Sequence, residues 1–282
     1  MNAPLVLCAD DFGLAPGVNR AIHTLALNGR LSATSCMVTA PAWGLGQSLL
    51  PGIAAVCDVG LHFTLTDLAP SGPLPRLAPE GRLPTLGALT KQAFLGRLDR
   101  HEIAAELERQ LAAVEAALGR APDYIDGHKH VHLLPVVRTA LLDLFQTGRL
   151  DRARTYVRSC WEAPRRVVAR GIAVAPTLVT SALAAPLAKA ARRTGVAAND
   201  SFRGMNDFGR ARPFGALFRR FAAGPGARPL IMCHPGFPDA ELAALDPVVD
   251  RRQDEFDYLA GPDFMPDLAA AGRRLARFPW AA

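Results

Sequence analysis

The chain has 282 residues, half of them hydrophobic and 21% charged, so it can bury a large core and is neither disordered nor fibrous. The formal net charge is +6, and nearly all the cations are arginines, dense between Arg149 and Arg228. That density marks a surface for anionic partners such as phosphate, nucleic acid or lipid headgroups, or, in the simpler reading, a solvated basic face. Five cysteines (Cys8, Cys36, Cys57, Cys160, Cys233) form no CxxC pair, and three lie in apolar runs, which predicts buried, reduced thiols and a cytoplasmic protein.

In chain order, PLVLCAD reads as a buried strand entered almost at once, with no secretory leader before it. PGVNRAIHTLALNGR follows with helical spacing at Ile22, Leu25 and Ala26. SATSCMVTA is a second strand, and a short helix covers Trp43 to Leu50. AAVCDVGLHF is a third β run, ending at His62. Residues 66–90, rich in proline, glycine and leucine, read as a long surface loop placed as a lid over a site. The clearest helix is His101 to Leu118, with Ile103, Leu107, Leu111, Val114 and Leu118 on one stripe, Glu and Arg opposite, and Gly119 as its stop.

DYIDGH is a short strand and LLPVVRTALLDLF a helix. ARTYVRSC and VAANDSF read as strands, PFGALFRRFAA as a helix and RPLIMCHP as the last strong strand. Leu268 to Arg277 is expected as a final helix. Gly171 to Ala188 carries no charge over nearly the length of a membrane span, but it holds Pro176, Pro186 and mostly alanine, so it reads as a loop and a helix of the fold. Arginines on both sides leave room for a peripheral membrane contact. Strand–helix alternation with no repeat or linker predicts one α/β domain over residues 1–282, a mostly parallel, TIM-like (β/α) barrel with outer helices.

Polar residues fall where such strands end. Asp10 and Asp11 close the first strand, His62 the third run, Asp126 and His128 the next, and His234 the last. In a parallel barrel the strand C-termini open on one face, so these segments converge. Two carboxylates beside a buried strand need a partner, because unpaired charge away from water is costly. Capping the helix near Ala15 would account for one of them only.

Carboxylate and imidazole without thiolate suit one divalent cation, magnesium or zinc, held by three ligands with an open position. Asp11, His62 and His128 make one such set. Asp10 is then free as a general base, and His234 as a proton donor to the leaving group. His128, His130 and His132 alternate, and on an extended strand they would share a face, so spacing alone does not choose among them. His130 and His132 are left to roles behind the ligands or at the substrate, and Asp126 to orienting a histidine.

The motifs ADDFGLAPGVNRAI, GLHFTLT, DGHKHVHLLP and MCHPG resemble those of the YdjC-type carbohydrate deacetylases, which include chitooligosaccharide and hopanoid-associated deacetylases. The resemblance spans roughly residues 4 to 236. It implies a metal-dependent hydrolase on a distorted (β/α) barrel that removes acetyl from N-acetylated sugars; the basic middle section and the apolar Gly171 to Ala188 stretch would suit a glycolipid substrate. By the same resemblance the metal falls on Asp11, His62 and His128, the base on Asp10 and the acid on His234. The middle third and the stretch after about Asp239 match no motif. An amidase or phosphoesterase on the same fold, and a non-catalytic sugar-binding protein, are the alternatives. Nucleic acid is not expected as a partner, and a homodimer is left open.

Overall fold

The computed structural model describes residues 2–208 and 212–278. Its first strand, β1 (Ala3–Phe12), is buried from Leu5 onward and carries Asp10 and Asp11 inside its final turn of pleat. Then come α1 (Pro16–Leu27), β2 (Ala33–Cys36), two short helices α2 (Trp43–Gly46) and α3 (Leu50–Val56), and β3 (Asp58–Phe63). The chain continues through α4 (Leu86–Phe94), α5 (Arg100–Leu118), β4 (Tyr124–Gly127), α6 (Pro135–Gln146) and β5 (Tyr156–Val157). Next are α7 (Pro164–Arg170), α8 (Val174–Thr194), β6 (Ser201–Arg203), α9 (Phe214–Ala222) and β7 (Pro229–Cys233). Last come α10 (Ala240–Leu245), α11 (Asp250–Ala260), α12 (Phe264–Ala270) and β8 (Arg273–Leu275).

Every ladder is parallel, in the order β5-β4-β3-β2-β1-β7-β6, with β8 paired to the start of β1. The sheet curls so that Val157 of β5 bridges Ala198, just ahead of β6, and the ring nearly closes. This is the distorted (β/α) barrel that the strand–helix alternation predicts. Closure is weak because β5 has only two residues, so one bridge joins the two ends of the sheet. The strands on both sides of β1 are buried throughout, β7 as the apolar run PLIMC and β2 as ATSC, as parallel sheets covered by helices require.

Several sequence expectations are corrected. Ala54 to Val56 end α3, and the third strand starts only at Asp58. Leu268 to Arg277 is not one helix: α12 stops at Ala270, Gly272 turns with φ +69°, and Arg273–Leu275 pairs with Ala3–Leu5. The polar face of α5 is not all solvated. Glu106 and Gln110 are fully buried because they hold the backbone amides of Ser71 and Thr64 at 2.7 and 2.9 Å. Glu102 likewise receives the amides of Arg76 and Leu77. The loop after residue 66 is therefore strapped to α5 as a rim, with Leu74, Leu77, Ala78 and Leu83 buried, and α4 begins inside the expected loop.

The uncharged stretch forms most of α8, which packs Thr177, Ser181, Ala184, Leu187, Ala188 and Ala191 inward. By length and composition alone α8 could cross a membrane, but that buried side belongs to the fold. The arginine-rich region is not simply a solvated face either, because Arg158 and Arg203 are among the most deeply buried side chains. All five cysteines are buried free thiols.

Candidate active site

β1 delivers two adjacent carboxylates to one place because its register with β2 slips there. Ala9 pairs with Thr34 and Phe12 with Cys36, so Asp10 and Asp11 together oppose Ser35. Such a bulge re-aims side chains that would otherwise point to opposite faces. Asp11 takes a left-handed backbone, φ 71°, which is rare and strained for a residue with a Cβ. Gly13 follows at φ 103°, and a Cβ there would lie 2.7 Å from the Met37 carbonyl oxygen. Neither carboxylate caps a helix: α1 begins at Pro16 with no side-chain cap.

Asp11 Oδ1 lies 3.4 Å from His62 Nε2 and 3.2 Å from His128 Nδ1. One ligand atom from each of these three residues falls within 4.8 Å of the others. His62 comes from β3 and His128 from the residue after β4, so three strand ends supply the set. His62 Nδ1 donates to Asp126 Oδ1 at 2.6 Å, which orients the ring so that Nε2 faces Asp11. On the other side, Arg252 Nη2 of α11 donates to Asp11 Oδ2 at 2.7 Å and also to Asp246. Burial alone would raise the Asp11 pKa, but Arg252 and the two histidines hold its carboxyl well below the usual range. Two imidazole nitrogens and one ionised carboxylate oxygen, gathered in a buried cup, fit a divalent cation.

Asp10 has a different partner. Arg158, just past β5, grips it with two bonds of 2.7 Å and also contacts Asp126. Burial pushes the Asp10 pKa up, and the guanidinium outweighs it, so the carboxyl is held well below the ordinary range. Cys8, Asp10 and Asp126 form a second group with metal-ligand spacing, but here Arg158 already supplies the cation. His234 Nε2 lies 4.0 Å from Asp10 Oδ2, and burial lowers its pKa although Asp11 and Asp10 pull the other way. Its backbone amide donates to Glu255 Oε2 at 2.5 Å, and burial pushes that carboxyl up to about 7.

After β4 ends at Gly127, His128–Leu133 is a 3-10 turn, not an extended strand, with Lys129 and His130 at positive φ. Its three histidines therefore diverge, and only His128 reaches Asp11. His132 is fully buried and donates Nε2–H to the Arg158 carbonyl at 2.9 Å, its pKa lowered to about 3 by burial and by His130. His130 stands on the cavity wall, edge-on to Phe202, its pKa pushed down to about 4 by burial. His23 on α1 and His101 on α5 do not line the cavity.

A cavity of about 320 Å³ opens over Asp10, Asp11, His62, His128, His130 and His234, with Thr66 to Leu68 and Phe208 at its rim. A larger one, about 630 Å³, adjoins it through Asn206 and Phe208 and is lined by residues 171–176, at the turn into α8, and by Leu217 and Arg251. Among the described residues it holds no carboxylate–imidazole set; that set lies in the smaller cavity. Arg158, Arg252, Ser35 and Glu255 belong to the site and were not anticipated. Arg158 left a faint signal, a charge directly after the apolar pair Tyr156–Val157, whereas Arg252 and Glu255 sit in a stretch with no recognisable motif.

The sequence profile of YdjC-like proteins matches residues 4–270. A chitooligosaccharide deacetylase of Serratia marcescens is 31% identical over 99% of each chain. A carbohydrate deacetylase of Mus musculus is 31% identical over 85% of this chain and 80% of its own. A solved protein of Enterococcus faecalis, provisionally described as a cellobiose-phosphate cleavage protein, shares the fold with a TM-score of 0.74 at 22% identity, over 98% of both chains.

Proposed function

This chain belongs to the YdjC-like protein family, and from that premise we propose that it removes acetyl from an N-acetylated sugar using one divalent cation. It is a carbohydrate deacetylase, a hydrolase of a non-peptide C–N bond, by its likeness to relatives of that name over most of its length. The observation that carries the metal-dependent reading is the Asp11–His62–His128 cup, whose ligand atoms lie within 4.8 Å of one another beside a second ionised carboxylate. Those three residues would hold the ion, magnesium or zinc. When bound, such an ion polarises the acetamide carbonyl and acidifies water.

The chain's own groups divide the proton work. Asp10 is kept ionised by Arg158 and is the acceptor for the proton of the attacking water. The same bidentate contact makes Asp10 a weak base, so the proton is held briefly and passes to His234 Nε2, 4.0 Å away. His234, neutral beforehand because burial lowers its pKa, then delivers that proton to the departing amine. Asp126 holds the His62 ring, and His130 lines the wall against which the sugar would rest.

We read residues 1–282 as one catalytic domain working in the cytoplasm, a compartment that suits five unpaired buried thiols. Its substrate is a free N-acetylchitooligosaccharide or a lipid-linked amino sugar. The test is acetate release from N-acetylglucosamine oligomers and from N-acetylated glycolipids, with magnesium, zinc or chelator present. Acetate that appears with metal and disappears in Asp10→Asn supports the reading. Sugar binding without acetate from any substrate would leave a binding protein instead.

A further inference from the structure

At the opposite end of β7 from His234, a cavity of about 300 Å³ is walled by α7, the end of α9 and the turn at residues 223–226. Four arginines line it: Arg166, Arg170, Arg203 and Arg220. A fifth, Arg273 of β8, donates to the carbonyls of Gly224 and Gly226 in the same turn. Among the described residues the carboxylate facing this group is Glu162. It accepts from Arg170 at 2.8 Å and Ser201 at 2.7 Å, and lies 3.5 Å from Arg203 Nε and 3.6 Å from Arg166 Nη1. The neighbouring Asp200 is turned to the amides of Ala227 and Arg228.

One carboxylate thus stands against five guanidinium groups. Arg203 is 1% exposed, and its donors go to Ser201 and to the carbonyls of Phe221, Ala223 and Pro225, none of which cancels its charge. Burial and the nearby Arg170 push its pKa down to about 10, against the pull of Glu162. Arg166 touches Glu162 only at 3.6 Å, and no acidic partner faces Arg220 among the described residues. Arg203 is spent on Ser201 and carbonyls, whereas among the described residues the planar N–H forks of Arg166 and Arg220 have no close partner, and such forks are matched by the several oxygens of a phosphate.

We propose that this arginine-lined cavity binds a phosphate group, on a ligand separate from the sugar in the catalytic cleft. The volume admits a phosphate with a small organic group attached. Two sources share that chemistry: a soluble phosphate ester and the headgroup of an anionic lipid. The second is included because Arg220, which lines the cavity, is exposed to solvent and so is open to a charged surface as well as to a small molecule. The inference is independent of the deacetylase reading, since none of its residues touches the catalytic cup.

The test uses the full-length protein and the double variant Arg166→Gln/Arg220→Gln, whose positions lie outside the catalytic machinery. Binding of inorganic phosphate and glycerol 3-phosphate is measured by calorimetry, and binding to phosphatidylcholine vesicles with and without phosphatidylglycerol by co-sedimentation. Saturable binding is expected, weakened about tenfold or more in the double variant, with acetate release from a soluble substrate and the ligand-free melting temperature unchanged. Binding of the soluble ester assigns a metabolite, and binding of anionic vesicles alone assigns a lipid headgroup. The proposal is overturned if neither probe binds, or if the double variant binds as well as the parent.

Discussion

Two groups of three potential ligands sit side by side at the top of the barrel, and they have opposite fates. In the lower one, Cys8, Asp10 and Asp126 surround Arg158, a fixed cation that arrives with the fold. In the upper one, Asp11, His62 and His128 turn one ligand atom each toward one another, while Arg252 engages only the outer oxygen of Asp11. Clustered acids and imidazoles are thus not enough to mark an ion site. What separates the two groups is whether a side chain of the protein already supplies the positive charge.

The contrast is broken most severely by removing the upper set. Asp11→Asn, His62→Ala and His128→Ala, or chelation of the wild-type protein, should each lower acetate release by about a thousandfold or more, while the fold survives by circular dichroism. Asp10→Asn should lower it by roughly a hundredfold to ten-thousandfold, the usual range for a lost general base, with the metal content unchanged by atomic absorption. A fall in metal content would instead place Asp10 among the ligands.

The lower group answers to stability. Arg158→Met leaves Asp10 and Asp126 buried without their cation, and about 3–5 kcal/mol of unfolding free energy should disappear in a denaturant titration. No loss would mean that the guanidinium is not the structural cation. Asp126→Asn touches both groups, through Arg158 and through the His62 ring, and should weaken metal affinity by about 10- to 100-fold.

The last effect is a pH dependence with two signs. Asp10 and Asp11 have lowered folded pKa values, so the stability they contribute is present above their unfolded value of 3.8 and fades as pH falls below it. Glu255 is raised from 4.5 to about 7, so its contribution is full below 4.5 and is lost as pH climbs through 7. Thermal melts between these limits should lose up to about 3 kcal/mol on the alkaline side, and Glu255→Gln should flatten that slope. An unchanged slope in the variant would move the effect to another group.

How much of this was readable in the sequence depends on whether a residue's partner is near it along the chain. Asp10, Asp11, His62, Asp126 and His234 each end an apolar run, and a charge in that position is a local anomaly that survives translation into structure. Arg158 finds Asp10 across 148 positions and Arg252 finds Asp11 across 241, and an arginine after a strand or on a helix carries the same local pattern whether it is solvated or buried. The divergence of His128, His130 and His132 was hidden for another reason. The left-handed conformations at Lys129 and His130 break the alternation that the spacing suggests. β8 escaped notice because three residues are too few to show a period, and Glu106 and Gln110 because the loop amides that bury them lie 35 and 46 positions away.

The central assertion is that the fold gathers Asp11, His62 and His128 around one cation beside Asp10. Crystals grown with zinc, with diffraction recorded on both sides of the zinc absorption edge, test it most directly. The account predicts one strong anomalous peak about 2 Å from an Asp11 oxygen and from a nitrogen of each histidine, with Arg158 still clasping Asp10. A peak bound by the Cys8–Asp10–Asp126 group, or no ordered ion in the upper cup at saturating zinc, would contradict it.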